Sequence, residues 1–339
     1  MHTCSSSPPS LISIYSREVL EFPEDDRYVD KEFAKDYTMV SVIGSGAYGV
    51  VLEVIHKGRV YAMKYFLYEY DDSGHEIDIS CKISELRPYT PVFGEILGWT
   101  LSMNTPQDWI DKLGNDNLEN EQGYPYLYMC MERFTHNIKN IRPSEHTLRC
   151  FFFIYLHAFA MARKHLGHFR HRDIHFGNLM ITLRDNNKPL VLPVNEEYSY
   201  EILNLPMEPK LIDFGMAKTK ANVFEEEEEK YPFKDADKKE HPPRNDFKRL
   251  VMTFSMLYHR LNLSLNKFTK FVDGKTFGQL FHHETASDNY EVILKVLKHR
   301  FFDIPEIQTA RTNVESAQKR HKEVNTKLHR EEPKLNKLL

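Results

Sequence analysis

Paired cysteines, a long hydrophobic run and an excess of positive charge are all missing from this chain of 339 residues. Its four cysteines, Cys4, Cys81, Cys130 and Cys150, are scattered. That spacing predicts reduced intracellular thiols and argues against a disulfide framework or a zinc site. The formal net charge of −4 gives no global electrostatic basis for contact with nucleic acid. We therefore expect no direct nucleic-acid partner.

The hydrophobic segments are too short for a membrane span, which needs about 20 predominantly apolar residues. The longest run, CFFFIYLHAFAMA (Cys150–Ala162), is shorter and is interrupted by His157, which favours a buried helix. The N-terminus is polar and rich in serine and proline, and it has no secretory signal. The sequence therefore predicts an intracellular protein, cytoplasmic or nuclear, with no membrane partner.

Glycine is also scarce, with 14 residues in all, yet three of them lie close together in IGSGAYGVV. Gly44, Gly46 and Gly49 have GxGxxG spacing, which lets a backbone approach a phosphate group closely. Dinucleotide-binding folds share this spacing, but there a helix should follow. Here the segments VVLEVIHK and RVYAMKYF read as two strands. A glycine loop in a β-hairpin is typical of protein kinases.

Lys64 lies late in the predicted strand RVYAMKYF, where it could reach the first two phosphates of a nucleotide. The alternative is an ordinary exposed lysine on a strand. A phosphate-binding lysine needs an acidic partner on a helix, and Glu69, Glu76 and Glu85 are the candidates. Helical periodicity places Glu76 beside the apolar face of the predicted helix GHEIDISCKISELRPY and Glu85 well off it. We therefore expect Glu76 to pair with Lys64.

The segment HRDIHFGN contains Asp173 and Asn178, five residues apart. The carboxylate could accept a proton from a hydroxyl group, and the amide oxygen could bind a metal ion. Asp213 follows an apolar strand in KLIDFG, and with Asn178 it would form an oxygen site suited to Mg²⁺. His171 and His175 also have metal-ligand spacing, but no third ligand for zinc is evident.

The order of the predicted elements indicates an α+β fold, because strands and one helix precede a mostly helical region. This order suggests two lobes with a cleft between them. We expect a flexible extension, a smaller lobe, a larger lobe and a charged helix or tail, at residues 1–30, 31–133, 134–305 and 306–339. Residues 184–208 are interpreted as an insertion in the larger lobe.

From about Tyr37 to Phe302 the motifs resemble those of the eukaryotic protein-kinase superfamily. The resemblance implies a bilobal fold with a small antiparallel β lobe, a larger mainly helical lobe and ATP in the cleft. The segments EIDISCKISEL, FRHRDIHFGNLMI and NDFKRL are most similar to the haspin-like group of atypical Ser/Thr kinases, of cellular or large-DNA-virus origin. Residues 216–244 form an acidic activation segment without the usual Ala-Pro-Glu landmark. The intact Asp213-Phe214-Gly215 motif departs from the modified motif of haspin.

The resemblance also implies roles for individual residues. Asp173 is expected to be the catalytic base, and Lys64 is expected to pair with Glu76. Asn178 and Asp213 are the expected magnesium ligands. His175 stands where most Ser/Thr kinases have a lysine that meets the transferred phosphate. The expected ATP-binding residues are Ile43, Gly44, Ser45, Gly46, Ala47, Gly49, Val51, Ala62, Lys64, Met131, Glu132 and Asp213.

The expected function is Ser/Thr protein phosphorylation with ATP and Mg²⁺. The substrate is expected to be a protein, such as a basic peptide or histone-like tail that the acidic run Glu225–Glu229 could attract. A solvated loop is the alternative interpretation of that run. Two other functions stay open: a small-molecule phosphotransferase, which often has a histidine equivalent to His175, and a pseudokinase scaffold that binds nucleotide without turnover.

Overall fold

A computed structural model of the chain describes residues 37–46, 49–66, 73–102, 109, 126–134, 136–184, 188–195, 197–219, 246–274 and 290–311. Five α-helices and thirteen strands occur in these ranges, and the paired strands of every sheet are antiparallel. The predicted α+β class is confirmed. The predicted N-terminal extension, most of the acidic activation segment with Glu225–Glu229, and residues 312–339 lie outside the described residues.

The first sheet has five strands in the order β1-β2-β3-β5-β4. They are β1 (Thr38–Gly46), β2 (Gly49–His56), β3 (Arg59–Phe66), β4 (Ile96–Ser102) and β5 (Tyr126–Glu132). The two strands predicted to follow the glycine motif are confirmed as β2 and β3. Strands β1 and β2 form a hairpin with Gly46 opposite Gly49. The segment TPVFGEILGWTL has a strand-like sequence, but β4 begins only at Ile96 and Phe93 pairs instead with Leu211.

Helix α1 (Ser73–Ser84) covers one face of this sheet. Its buried residues Ile77 and Cys81 form an apolar cluster with Phe66, Trp99, Leu127 and Met129 of the strands. A second cluster, which includes Leu52, Met63 and Tyr128, lies on the sheet as well. Side chains of successive strand residues point to opposite faces, so one sheet can contribute to both clusters. Because α1 packs on the sheet, Glu76 in its first turn faces Lys64 of β3.

Helix α2 (Glu145–Leu166) is the centre of the largest apolar cluster. Its first turn is capped by Ser144, whose Oγ accepts a hydrogen bond from the Thr147 amide at 3.1 Å. Nearly the whole circumference of the helix is buried, as expected for the run CFFFIYLHAFAMA. Around it pack α3 (Asp246–Arg260), α4 (Asn266–Val272) and α5 (Tyr290–Leu297). None of the helices in the described ranges has the length and hydropathy of a membrane span.

Short strands complete the fold. They form the sheets β11-β8-β6, β13-β10-β9 and β12-β7. Their bounds are β6 (His136–Asn137), β7 (Phe169–Arg170), β8 (Leu179–Leu183), β9 (Leu190–Pro193), β10 (Tyr198–Ile202), β11 (Met207–Leu211), β12 (Lys218–Thr219) and β13 (Ile307–Arg311). Residues 184–208, interpreted as an insertion, thus contain the complete strands β9 and β10 and the start of β11, and buried Leu192 and Ile202 attach them to the core. The C-terminal segment predicted as a helix or tail begins instead with strand β13, paired with β10.

The cysteines differ from the expectation in one case. Cys81 is disulfide-bonded, so the prediction of four reduced thiols is wrong for this residue. Cys130 and Cys150 are free and buried. Burial raises the pKa of each of these two thiols to about 12, which keeps them protonated and poorly reactive.

His157 in the middle of α2 makes the stability of the fold sensitive to acid. Burial lowers its pKa from 6.5 to about 4, although its ring is hydrogen-bonded to the Pro193 carbonyl at 3.0 Å. Within the described part of the chain its Nδ1 has no hydrogen-bond partner, so a second ring proton would have no acceptor. As the pH falls below 6.5, the unfolded chain binds this proton first. The folded state therefore loses stability until the pH reaches about 4.

Replacement of His157 by glutamine should flatten this acid dependence, because glutamine keeps an N–H donor but does not titrate. We expect the free energy of unfolding of the wild type to fall by about 2–3 kcal/mol more than that of His157→Gln between pH 7.5 and pH 4.5. Urea unfolding at the two pH values measures both. Parallel decreases in the two proteins would show that other groups cause the acid sensitivity.

Candidate active site

Strand β3 and helix α1 meet at a buried ion pair. The Lys64 Nζ lies 2.6 Å from Oε1 and 2.7 Å from Oε2 of Glu76, and both residues are almost fully buried. Lys64 also donates to Oδ1 of Asp213 at 3.1 Å. Of the three glutamates considered from the sequence, Glu76 is the one that contacts Lys64 among the described residues, while Glu69 lies outside them.

Lys64 and Asp213 stabilise each other's charge, whereas burial raises the pKa of Glu76 despite its contact with Lys64. Burial alone would lower the pKa of Lys64, but the carboxylates of Glu76 and Asp213 outweigh it and raise that pKa above its ordinary value. Burial would raise the pKa of Asp213, yet the Lys64 ammonium reverses the effect and the pKa is lowered. Asp213 is therefore ionised at neutral pH, and its side chain, 37% exposed, can still receive a cation.

The glycines of the β1–β2 hairpin have different structural roles. Gly49 has φ 145°, and a Cβ there would lie 2.2 Å from the Tyr65 carbonyl oxygen of β3, so close approach of the two strands requires glycine. At Gly44 a Cβ would make only ordinary contacts with Val51. Ile43 and Ser45 are exposed on β1. Gly46 ends that strand, and Ala47 lies outside the described residues.

The expected ATP-binding residues Met131 and Glu132 lie at the end of strand β5. Ala62 of β3 is buried and is paired with Met131 of β5. The Glu132 amide donates to the Glu95 carbonyl at 2.9 Å. Arg133 also links this segment to β2, because its Nε donates a hydrogen bond of 2.7 Å to the Glu53 carboxylate. These contacts hold residues 131–134 against the sheet.

Asn178 and Asp213 are brought together by a pair of strands. Leu179 at the start of β8 is paired with Leu211 at the end of β11, so the residues just before and just after these strands emerge at the same end. The Ile212 amide donates to the Asn178 carbonyl at 3.1 Å and keeps the two segments together. The antiparallel register of β8 and β11 thus brings close together two residues that are distant in the sequence.

The loop that contains His171 and Arg172 is anchored by a buried carboxylate on α3. Asp246 accepts hydrogen bonds from the backbone amides of His171 and Arg172, both at 2.7 Å. His171 is fully buried, and burial lowers its pKa, so the ring is neutral at physiological pH. Its Nε2 donates to the Ile212 carbonyl at 3.1 Å, and its Nδ1 accepts from the Asp173 amide at 3.3 Å. Both ring nitrogens are therefore used by the backbone and not by a metal ion.

The Asp173 carboxylate has polar neighbours at both oxygens. Asn178 Nδ2 donates to the Asp173 carbonyl at 2.9 Å and to its Oδ2 at 3.3 Å. His175 Nε2 lies 3.3 Å from the same oxygen. Arg249 of α3 donates to Oδ1 at 3.4 Å. The side chain stays 33% exposed, so a further hydroxyl group can approach it.

The tautomer of His175 follows from its second contact. Its Nδ1 accepts a hydrogen bond from the Gly177 amide at 2.9 Å, so the proton of the neutral ring is on Nε2. That N–H faces Oδ2 of Asp173. His175 can therefore donate to Asp173 even when the imidazole carries no charge.

The side chains fit a magnesium ion that is bound together with phosphates. The Asn178 side-chain nitrogen donates hydrogen bonds to Asp173, which leaves the side-chain amide oxygen free to bind a cation. Asp213 adds an ionised, partly exposed carboxylate. No cluster of three or more His, Cys, Asp or Glu side chains suited to a metal occurs in the described ranges. Two protein oxygens are too few for a protein-only cage, whereas Mg²⁺ usually binds through one or two carboxylates and the substrate's phosphates.

Two residues that contribute to the site were not predicted from the sequence. Asp246 was assigned no role from the sequence, yet its carboxylate accepts hydrogen bonds from the amides of His171 and Arg172. Arg249, three residues later, contacts Asp173. The segment NDFKRL contains both residues, and nothing in the sequence alone marks Asp246 as buried.

Comparison with known proteins gives no family assignment. No family model matches the sequence, and no curated protein matches it. The function is therefore inferred from the geometry of the site and from its motifs.

Proposed function

We propose that the protein is an ATP-dependent Ser/Thr protein kinase with a bilobal fold. The observation that carries the proposal is a continuous set of polar contacts. It runs from the Lys64–Glu76 pair to Asp213, and then through the backbone hydrogen bond from the neighbouring Ile212 amide to the Asn178 carbonyl, to Asn178 and Asp173. Phosphoryl transfer is catalysed mostly by positioning and charge neutralisation, and these groups can supply both.

In this proposal each group has a distinct task. Asp173 accepts the proton of the substrate hydroxyl, and Asn178 holds the Asp173 backbone carbonyl and carboxylate in place. Lys64 binds the nucleotide phosphates and is oriented by Glu76. The side chains of Asn178 and Asp213 would hold Mg²⁺, which neutralises charge on the phosphates when it is bound. ATP would be bound beneath the glycine hairpin and against residues 131–134, in an intracellular compartment.

A small-molecule phosphotransferase is the second candidate, and His175 is the observation that favours it. Such enzymes often carry a histidine at this position. The intact HRD segment and the glycine hairpin favour a protein substrate instead. A pseudokinase scaffold is less well supported, because the groups that catalysis requires are all present.

Incubation of the purified protein with γ-labelled ATP, Mg²⁺, protein mixtures and a metabolite panel would test the proposal. We expect label on serine or threonine residues of a protein, with basic peptides and histone-like tails as the first substrates to examine. Label on metabolites alone would favour the second candidate. Nucleotide binding without transfer to any substrate would favour the scaffold.

Removal of the His175 side chain should slow turnover more than it weakens nucleotide binding, because His175 donates to the catalytic carboxylate. For His175→Ala we expect kcat to fall by about tenfold or more, with a smaller change in the KM for ATP. Steady-state kinetics at saturating protein substrate would measure both. A raised KM with unchanged kcat would show that His175 binds the ground state or is structural.

A further inference from the structure

Arg249 places a permanent positive charge beside the Asp173 carboxylate. Its Nη1 lies 3.4 Å from Oδ1, and about a third of each side chain is exposed, 32% for Arg249 and 33% for Asp173. A guanidinium group remains charged at any pH that a protein tolerates.

The relative positions of these two residues are fixed by one helix. Asp246 in the first turn of α3 accepts from the amides of His171 and Arg172, directly before Asp173. Arg249 lies three residues further along α3, on neighbouring helical surface. The helix that anchors the loop is therefore also the helix that presents the guanidinium to it. This arrangement distinguishes the contact from an ion pair between two unconstrained surface side chains.

The other carboxylate oxygen is contacted from the loop itself. His175 Nε2 and Asn178 Nδ2 both lie 3.3 Å from Oδ2 of Asp173. Donors thus lie on both oxygens and define the plane of the carboxylate. These distances exceed the roughly 2.7–2.9 Å of strong charge-assisted hydrogen bonds. The oxygens therefore keep accepting capacity for a substrate hydroxyl, and such contacts often tighten only when substrate binds.

We propose that Arg249 is a positioning residue for the catalytic base. It orients Asp173 and places a permanent positive charge beside the carboxylate. This inference rests on the proposed kinase function and adds to it a residue from a helix 76 positions away in sequence. Arg249 acts through Asp173, so its removal should affect turnover and not the binding of ATP.

The test compares Arg249→Ala and Arg249→Lys with the wild type, and Arg260→Ala is the matched control. Arg260 is an exposed arginine at the end of the same helix. For Arg249→Ala we expect kcat to fall by about 10- to 100-fold, less than the whole contribution of a general base. The KM for ATP should change by less than about twofold, since only turnover is affected. Arg249→Lys should recover part of the rate, and Arg260→Ala should match the wild type.

Two further measurements separate positioning from structural damage. Added guanidinium ion at millimolar concentration should restore part of the rate of Arg249→Ala. In the Asp173→Asn background, Arg249→Ala should cause no further loss, because the residue acts through the carboxylate. Thermal unfolding of each variant checks that it is folded.

Several results would overturn the inference. They are an unchanged kcat in Arg249→Ala, a loss that is fully additive with Asp173→Asn, or a raised KM for ATP with kcat intact. Each of these leaves the kinase proposal standing, provided that the wild type transfers phosphate. A wild-type protein that transfers none would remove the proposed function and this inference with it.

Discussion

Replacement of Asp173 by asparagine should lower the rate of phosphoryl transfer by about 10²- to 10⁴-fold, the usual contribution of a general base. Asparagine keeps the size of the side chain and can still meet His175 and Asn178, so the loop should stay in place. It cannot accept a hydroxyl proton at neutral pH. Nucleotide binding should stay near the wild-type value, because Lys64, Asn178 and Asp213 are unchanged.

The rate and the affinity need separate measurements for this variant. Label transfer to protein reports the rate, and titration with a fluorescent ATP analogue reports the binding. Asp78→Asn is a matched control, because Asp78 is a partly exposed carboxylate paired with Lys82 on helix α1. Wild-type activity in Asp173→Asn would refute the assignment of the base. Loss of nucleotide binding would show that Asp173 is structural.

Replacement of Glu76 by alanine should have the largest effect on stability. It would leave the Lys64 ammonium buried without its main partner. Removal of one member of a buried ion pair typically costs about 3–5 kcal/mol. Asp213 stays 3.1 Å from Lys64 and compensates part of the charge, so we expect the lower end, about 3 kcal/mol. Kinase activity should fall in parallel, since Lys64 would lose the carboxylate that orients it.

Two comparisons make the Glu76 result specific. Asp78→Ala on the same helix breaks an exposed i, i+4 pair with Lys82 and should cost only about 0.3–0.5 kcal/mol. The double variant Lys64→Met with Glu76→Leu removes both charges and should recover stability without recovering activity. Urea unfolding gives these free energies. If Glu76→Ala and Asp78→Ala destabilised equally, the buried pair would not be the cause.

The parts of the site that could be predicted were those encoded over short distances in sequence. Strand periodicity and the glycine spacing indicated the β1–β2 hairpin, and helical periodicity selected Glu76 as the residue that faces β3. Asp173 and Asn178 are only five positions apart, and their contact is confined to one loop. In each case the same few neighbouring residues determine both the chemical groups and their local geometry.

The parts that could not be predicted depend on contacts between distant segments. The bond from the His171 amide to Asp246 spans 75 positions, and nothing in either segment specifies the other. Phe93 is a similar case, because its strand-like sequence is used for a single bridge to Leu211 instead of extending β4. The strands of residues 184–208 were missed because their polar and proline-marked composition hid the alternation of buried residues.

The pairing of β13 with β10 has a consequence for shortened versions of the protein. β10 is the central strand of its sheet, with β9 on one side and β13 on the other. A chain that ended before Ile307 would leave one side of β10 with unpaired backbone groups next to the aromatic residues Tyr198 and Tyr200. Exposed strand edges of this kind invite pairing between molecules. The boundary for expression therefore lies beyond Arg311, although the kinase-like motifs end nearly 100 positions earlier at Gly215.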